Sequence, residues 1–194
     1  MDSYDLYGLV LAGGQSQRMG TDKAFLPYHG IPQKDHLFAL LEQFCSRVFT
    51  SIGPRAEASL YRSAIRDKFD WRGPLNGIMS AFEQHPEKAW LCVAVDLPFI
   101  DQAALQFLLD HRDRAMLATC FYDSTGKSPE PLITLWEPEA YTGLKRFCNT
   151  GNTSPRDFLA HNPVKMVKAP NTLCLTNVNT TEEFNQLKGK PDRV

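Results

Sequence analysis

The sequence predicts an α/β fold, a single-domain three-layer sandwich built around a mostly parallel sheet. Short apolar runs alternate with amphipathic stretches through the first half of the 194 residues, an order typical of right-handed βαβ units. The runs 6–12 and 90–95 are continuously apolar, as in parallel strands that are covered on both faces. The first run leads into Gly13 and Gly14, a glycine turn at a strand end, where open α/β sheets bind ligands.

Length and composition describe one ordinary globular domain. The chain is 43% apolar and 22% charged, and its 21 basic against 22 acidic residues leave a net charge of −1, which provides no field to attract nucleic acid or an anionic membrane. No apolar run approaches the roughly 20 residues that span a bilayer, and the start lacks the features of a signal peptide. We therefore expect a cytoplasmic protein without nucleic-acid or membrane partners, with one domain over 1–188 and a disordered tail over 189–194.

Cysteine and histidine spacing argues against a zinc site. The five cysteines are odd in number and form no CxxC pair, and the five histidines show neither HxH nor HExxH spacing. We expect the cysteines to be reduced, mostly buried thiols.

Helix and strand patterns alternate up to about residue 110. Leu37, Leu40, Leu41 and Phe44 lie at helical spacing, which predicts an amphipathic helix over Gln33 to Ser46. The other predicted elements are a strand over 48–52, a weak helix over 55–66, a helix from Pro74 to about His85, the strand 90–95, and a helix after Pro98 with its stripe at 104, 105, 108 and 109.

The second half is less regular. Strands over 115–122 and 132–136 flank a loop that contains Gly126 and Pro129, so an antiparallel element is expected there. Thr180 to Glu183 matches the capping box of a final helix, and Asn179 could cap the same helix one residue earlier. Between them the pattern predicts short helices over 139–148 and 156–161 and a strand over 164–167.

The glycine turn after the first strand is the first candidate site. Glycines leave backbone N–H groups accessible to phosphate, and Arg18 and Lys23 supply cations that would offset its charge. The alternative is a flexible turn with two solvated basic residues. The glycine spacing fits neither the GxGxxG dinucleotide fingerprint nor the Walker loop, so a Rossmann dehydrogenase and a P-loop kinase are not indicated.

Asp96 and the pair Asn177 and Asn179 are the other candidates. Asp96 ends a buried strand, where a carboxylate is kept for a metal ion, for a basic partner or as the cap of the next helix. Pro98 would stand in the first turn of that helix, so capping and metal binding remain open. The two asparagines could bind an ion through their carbonyl oxygens, but by themselves they are typical helix caps.

Four segments together resemble the molybdenum cofactor guanylyltransferase family. Residues 11–24 match its LAGGxSxRMGxDKA signature at every fixed position, and 73–78, 95–99 and 177–180 are similar to its GPLAGI, VDxPF and NVNT segments. The order is the family's, and the resemblance spans nearly the whole chain. It implies a Rossmann-like nucleotidyltransferase fold of the glycosyltransferase-A-like group.

The resemblance also implies roles for individual residues. Those around the guanine, ribose and base pocket would be Leu11, Ala12, Gly13, Gly14, Asp67, Pro74, Leu75 and Gly77. Arg18 and Lys23 would face the phosphates, Asp96 would hold Mg²⁺, and Asn177 and Asn179 would lie on the molybdopterin side. Asn76 and Thr181 depart from the family, which has a small residue and a proline there, and Asn76 is the departure expected to affect the base.

The implied reaction transfers GMP from GTP to the terminal phosphate of molybdopterin, or of its molybdenum-loaded form, and releases pyrophosphate. Arg18, Lys23 and Mg²⁺ on Asp96 would act through positioning and charge neutralisation. Proteins that deliver or receive the cofactor are further partners to consider. The alternatives are a cytidylyltransferase, a sugar-phosphate nucleotidyltransferase, and a non-catalytic nucleotide-binding regulatory protein.

Overall fold

The computed structural model describes residues 5–13, 22–178 and 180–188, and leaves the side chains of 187 and 188 aside. The described residues form six α-helices: α1 (Gln33–Leu41), α2 (Pro74–Gln84), α3 (Gln102–Asp110), α4 (Ala140–Asn149), α5 (Pro155–His161) and α6 (Thr181–Lys188). They also form seven strands: β1 (Leu6–Leu11), β2 (Arg47–Ile52), β3 (Ala64–Arg66), β4 (Ala89–Ala94), β5 (Ala118–Tyr122), β6 (Pro129–Trp136) and β7 (Val164–Val167). The predicted tail 189–194 lies outside the described residues.

All seven strands belong to one sheet, in the order β3-β2-β1-β4-β6-β5-β7. β1 pairs in parallel with β2 and β4, β2 with β3, and β5 with β7, whereas β6 is antiparallel to both β4 and β5. The mostly parallel sheet with one antiparallel element is therefore confirmed. The carboxyl ends of β1 to β5 and the amino end of β6 meet at one edge, here called the site edge.

Helices cover both faces of the sheet, as the two continuously apolar runs predict. Within β1, Val10 packs in one cluster with Leu37 of α1, and Leu9 packs in the other with Leu75 of α2. α3 joins the first cluster, and α4 and α5 join the second. The three-layer sandwich is thus confirmed, and burial on both faces explains why β1 and β4 lack a polar alternation.

The five cysteines are free and buried, as predicted. Burial raises the pKa of the Cys45 thiol to about 12, so this thiol stays protonated at neutral pH. Within the described ranges, no helix has both the length and the apolar character needed to cross a membrane.

The weak helix predicted over 55–66 is wrong. The segment holds one short helical turn at Ala58–Leu60 and then forms β3. Thr50 N donates to the Ser63 carbonyl and Asp67 N donates to the Ile52 carbonyl, so pairing with β2 satisfies the backbone and overrides a weak local propensity.

The first helix ends earlier than its apolar stripe predicts, at Leu41 instead of Ser46. Phe44 N and Cys45 N both bond back to the Leu41 carbonyl, and Ser46 N donates to the Leu6 carbonyl of β1. The chain must turn here to enter β2, and that long-range bond ends the helix.

Pro129 lies in β6, whereas the sequence places it in a loop. The register between β5 and β6 shifts between Cys120 and Tyr122, and the shift pairs Tyr122 with Pro129. A proline is tolerated as the first residue of a strand because its missing N–H is not needed there. The longer strand places Glu130 at the site edge.

Candidate functional site

Lys23 and Asp96 form an ion pair at the centre of the site edge. Lys23 Nζ lies 3.2 Å from Asp96 Oδ1, with the two side chains 15% and 29% exposed. Asp96 follows β4, and Lys23 begins a short helical turn, Lys23–Phe25. Among the alternatives for Asp96, a basic partner is therefore present.

The helix-cap alternative for Asp96 is wrong. The next helix, α3, begins at Gln102, and its cap is Asp101, which accepts a hydrogen bond of 2.8 Å from Ala104 N. Asp96 instead lies in a tight turn in which Leu97 N donates to the Ala94 carbonyl. Its carboxylate is consequently available to the site edge.

The segment 177–180, near the carboxyl end of the sequence, contacts the backbone of Asp96. Val178 N donates to the Asp96 carbonyl oxygen at 2.9 Å, and the Val178 side chain is buried. Thr180 Oγ1 accepts from Glu183 N at 3.1 Å, so the predicted cap of α6 is confirmed and the departure at Thr181 leaves the helix start intact. Gly14, Arg18 and Asn179, three of the residues singled out from the sequence, lie outside the described residues.

The buried carboxylate of Asp67 lies close to the backbone of Gly13, on the side of Asp96 where β1 and β2 end. Ser51 Oγ donates to Asp67 Oδ1 at 2.8 Å, and a Cβ at Gly13 would lie 2.6 Å from Asp67 Oδ2. Ala12 N bonds to the Ser51 carbonyl at 3.1 Å, which holds the end of β1 against β2. Glycine is needed at 13 because any side chain would displace the acid.

Gly77 of α2 lies against Ser51, the residue that donates to Asp67. A Cβ at Gly77 would lie 2.1 Å from Ser51 Oγ, so this glycine lets the first turns of α2 approach β2. Pro74 occupies the first turn of α2, and Leu75 is fully buried. Of the three expected pocket residues, Gly77 permits close packing against Ser51, and Leu75 lies in the apolar core.

Asp67 is buried, with 8% of its surface exposed. Burial raises its pKa to about 6, while the hydrogen bond from Ser51 acts in the opposite direction. The carboxylate is mostly ionised at pH 7 and offers a strong acceptor in a poorly solvated place. Sequence reasoning missed Ser51, although the two adjacent hydroxyl residues Thr50 and Ser51 near the end of this strand were the available signal.

Asn76, the main departure from the family pattern, holds the loop that follows Asp67. Its Nδ2 donates to the carbonyl oxygens of Phe69 at 2.6 Å and Trp71 at 2.9 Å, and its Oδ1 accepts from Phe69 N at 3.2 Å. The Phe69 and Trp71 rings stack with centroids 4.2 Å apart. The asparagine thus acts on the loop backbone.

On the other side of Asp96 lies a cavity of about 360 Å³, here called the β6 pocket. It adjoins Asp96 because Leu97 lines it and Asn177, the residue before Val178, lines it too. The sequence singled out only Asn177 among its residues. The full lining is Leu97, Asp123, Ser124, Glu130, Leu132, Arg156, Leu175, Thr176 and Asn177.

The charged residues of the β6 pocket pair with one another. Arg156 Nη1 lies 3.1 Å from Asp123 Oδ2, and Arg156 Nη2 lies 3.8 Å from Glu130 Oε2. Asp123 follows β5, Glu130 is the second residue of β6 and Arg156 is the second residue of α5, so no local sequence motif joins them. Only the order of the strands brings these charges together.

The site edge fits a metal ion that is held partly by the substrate better than one held by protein side chains alone. Across 5–13, 22–178 and 180–188, no group of three or more His, Cys, Asp or Glu side chains could hold a metal. Mg²⁺ is usually held by one or two carboxylates together with phosphates and water. One partly exposed carboxylate, that of Asp96, fits such a site.

Comparison with known proteins agrees with this geometry. The chain is 33% identical over 182 residues to a molybdenum cofactor guanylyltransferase of Pseudomonas paraeruginosa, covering 90% of each chain. It is 31% identical to a molybdenum cofactor biosynthesis bifunctional protein of Synechocystis, of which it spans about half, 53%. The structure of molybdopterin-guanine dinucleotide biosynthesis protein A from Archaeoglobus fulgidus shares the fold, with a TM-score of 0.72 at 21% identity over 93% of this chain and 96% of that one.

The Rossmann-like nucleotidyltransferase fold is thereby confirmed. Residues 8–167 match the model of the MobA-like NTP transferase domain, which includes Lys23, Asp67, Asp96 and the charged residues of the β6 pocket. The chain belongs to the MobA-like NTP transferase family.

Proposed function

We propose that this protein transfers GMP from GTP to the terminal phosphate of molybdopterin and releases pyrophosphate. The observation that carries the proposal is the Lys23–Asp96 pair, which stands between the buried acid Asp67 and the β6 pocket. Relatives that match over nine tenths of their length bear the name molybdenum cofactor guanylyltransferase, which supports both substrates.

The chemistry asks mainly for alignment and charge compensation. A terminal phosphate oxygen of the acceptor attacks the α-phosphorus of GTP, the bond to the bridging oxygen on the β-phosphorus breaks, and pyrophosphate leaves. The attacking oxygen is already ionised, so no general base is required. Lys23 offsets charge on the phosphates, because its ammonium can exchange Asp96 for a phosphate oxygen at the same edge.

Asp96 would hold Mg²⁺, which supplies charge neutralisation between the two phosphate groups. Arg18 remains a predicted second cation at the phosphates. The reaction belongs in the cytoplasm under this proposal, and proteins that deliver or receive the cofactor would meet the enzyme there.

Guanine recognition is assigned to Asp67 and the backbone at Gly13. Guanine presents its N1–H and 2-amino group as neighbouring donors, and an ionised buried carboxylate accepts such a pair well. Adenine lacks the 2-amino donor, and cytosine leaves part of the pocket unfilled, so either base would leave Asp67 poorly paired.

The test is pyrophosphate release with GTP, CTP and ATP at equal Mg²⁺, with and without molybdopterin. We expect a preference for GTP of at least about 10²-fold, or about 2.7 kcal/mol. Equal rates with CTP would remove the guanine assignment, and turnover with a sugar phosphate in place of molybdopterin would move the protein to another transferase class. GTP binding without any turnover would favour the regulatory alternative.

A further inference from the structure

The β6 pocket has the form of a site for a flat heterocycle. Leu97, Leu132 and Leu175 supply apolar surface, and the polar side chains stand beside them. Its volume of about 360 Å³ lies within the usual range of small-molecule sites. Because Leu97 directly follows Asp96, a ligand in this pocket would adjoin the Lys23–Asp96 pair.

The charges of the pocket do not suit an anion. Arg156 is its one cation among the lining residues, and it faces the two carboxylates of Asp123 and Glu130. The acidic charges outnumber the basic one, so a bound phosphate would be repelled and N–H donors would be attracted. The phosphate of an acceptor therefore belongs toward Lys23, and its donor-rich ring belongs in the pocket.

The carboxylate of Asp123 is occupied by hydrogen bonds within the protein. Its Oδ1 accepts from Thr125 N at 3.1 Å, from Thr125 Oγ1 at 2.7 Å and from Lys127 N at 3.2 Å, and its Oδ2 accepts from Arg156 at 3.1 Å. The hydrogen bond from the Thr125 hydroxyl, with those from the backbone N–H groups of Lys127 and Thr125, lowers the pKa of Asp123 to about 2. The residue stabilises the turn before β6 and orients Arg156.

Glu130 is different, since it is buried with accepting capacity left. It is only 7% exposed, and its Oε1 accepts from Leu132 N at 3.0 Å. Within the described part of the chain, the contact given for Oε2 is the one with Arg156 at 3.8 Å, which exceeds hydrogen-bond distance. Oε2 therefore keeps accepting capacity at the wall of the β6 pocket, where a donor on a bound ligand would find it.

We propose that Glu130 selects the acceptor by accepting hydrogen bonds from the ring N–H and the 2-amino group of its pterin. This pair of donors is the same 2-amino-4-oxo edge that guanine presents to Asp67 on the other side of Asp96, so each substrate ring meets one buried acid. β3 and β6 stand four strand positions apart, roughly 19 Å at about 4.8 Å per strand, which leaves room for the joined phosphates between two rings. The inference rests on the proposed function for the identity of the acceptor.

Direct binding tests the inference without any nucleotide. The probe is 6-hydroxymethylpterin, followed by its fluorescence, and the matched ligand is the corresponding lumazine, which carries an oxygen in place of the 2-amino group. The wild type should bind the pterin at least about tenfold more tightly than the lumazine, because the lumazine turns an acceptor toward Glu130. Glu130→Gln should remove that preference, whereas Glu139→Gln, the same change at an exposed position, should keep it.

A purely structural role for Glu130 would give another result. If Glu130 only orients Arg156, Glu130→Gln would weaken both ligands equally or lower only the melting temperature, and the inference would be overturned. Absence of any pterin preference in the wild type would overturn it as well.

Turnover provides the second readout. Glu130→Gln should raise the KM for molybdopterin by at least about tenfold and leave the KM for GTP within about twofold, since the two rings lie on opposite sides of Asp96. An equal rise in both KM values would contradict the assignment. A wild type that uses CTP instead of GTP would refute the guanine proposal, and the pterin preference at Glu130 would still stand or fall on the binding data.

Discussion

The two sides of Asp96 are built in different ways. On the proposed nucleotide side, Gly13 and Gly77 let backbone and a buried acid approach so closely that a methyl group has no room. On the proposed acceptor side, a cavity of about 360 Å³ is lined by paired charges, including Glu130 and Arg156. One side is thus defined by steric fit and the other by charge. Substitutions on the first side should act through steric overlap, and substitutions on the second should act through the loss of charge pairs.

The largest effect is expected at the residue that both sides share. Asp96→Asn should lower turnover by at least about 10³-fold, because an amide of similar shape cannot offset the charge of a hard cation. The free energy of unfolding should change by less than about 1 kcal/mol, since the ion pair with Lys23 is partly exposed. Steady-state rates and chemical denaturation provide the two measurements.

Asp101→Asn is the matched control for that change. Asparagine also caps helices, so the α3 start and the rate should both be retained. A near-normal rate for Asp96→Asn would mean that its carboxylate has no part in catalysis.

The steric side should be sensitive to a single methyl group. Gly77→Ala would place a Cβ 2.1 Å from Ser51 Oγ and 2.8 Å from Ser51 Cβ, so the protein should lose about 3 kcal/mol of stability and bind GTP less tightly. Gly53→Ala, just beyond β2, meets nothing within 4 Å and should change stability by less than about 0.5 kcal/mol. Equal stability of the two variants in denaturant would show that α2 can move away from β2 without cost.

Asp67 and Asp123, one carboxylate from each side of Asp96, should respond to pH with opposite signs. Asp67 has a folded-state pKa of about 6 against an ordinary value of 3.8, so the folded state binds more protons between these values. The stability of the protein therefore falls as the pH rises from about 4 to 6, and above pH 6 the cost of the buried charge is fully present. Asp67→Asn should then gain about 1–2 kcal/mol at pH 7.5, lose this gain near pH 4, and bind GTP at least about tenfold more weakly.

Asp123→Asn is the counterpart on the proposed acceptor side. The pKa of Asp123 is lowered to about 2, so its contribution to stability is present above pH 4 and is lost as the pH falls toward 2. The variant should be less stable than the wild type at pH 7.5, and the difference should shrink in acid. Gains or losses of the same sign for both variants would contradict the opposite pKa shifts of these two carboxylates.

Much of the candidate site could be predicted from the sequence because its residues lie in short contiguous segments. Gly13 after β1, Asp96 after β4 and the start of α6 at Thr181 can each be placed from the apolar runs and from the residues that end them. These patterns depend on hydrogen bonds and burial within a few residues, so the sequence by itself determined the sandwich and the position of Asp96 at its edge.

Only the tertiary structure decided which side chains stand together. The pairs Ser51–Asp67, Lys23–Asp96 and Glu130–Arg156 join elements distant in sequence. Their meeting depends on the strand order and on the register shift that places Glu130 in β6, and both arise from packing over the whole sheet. For the same reason local propensity failed over 55–66, where pairing with β2 made a strand of a weak helix.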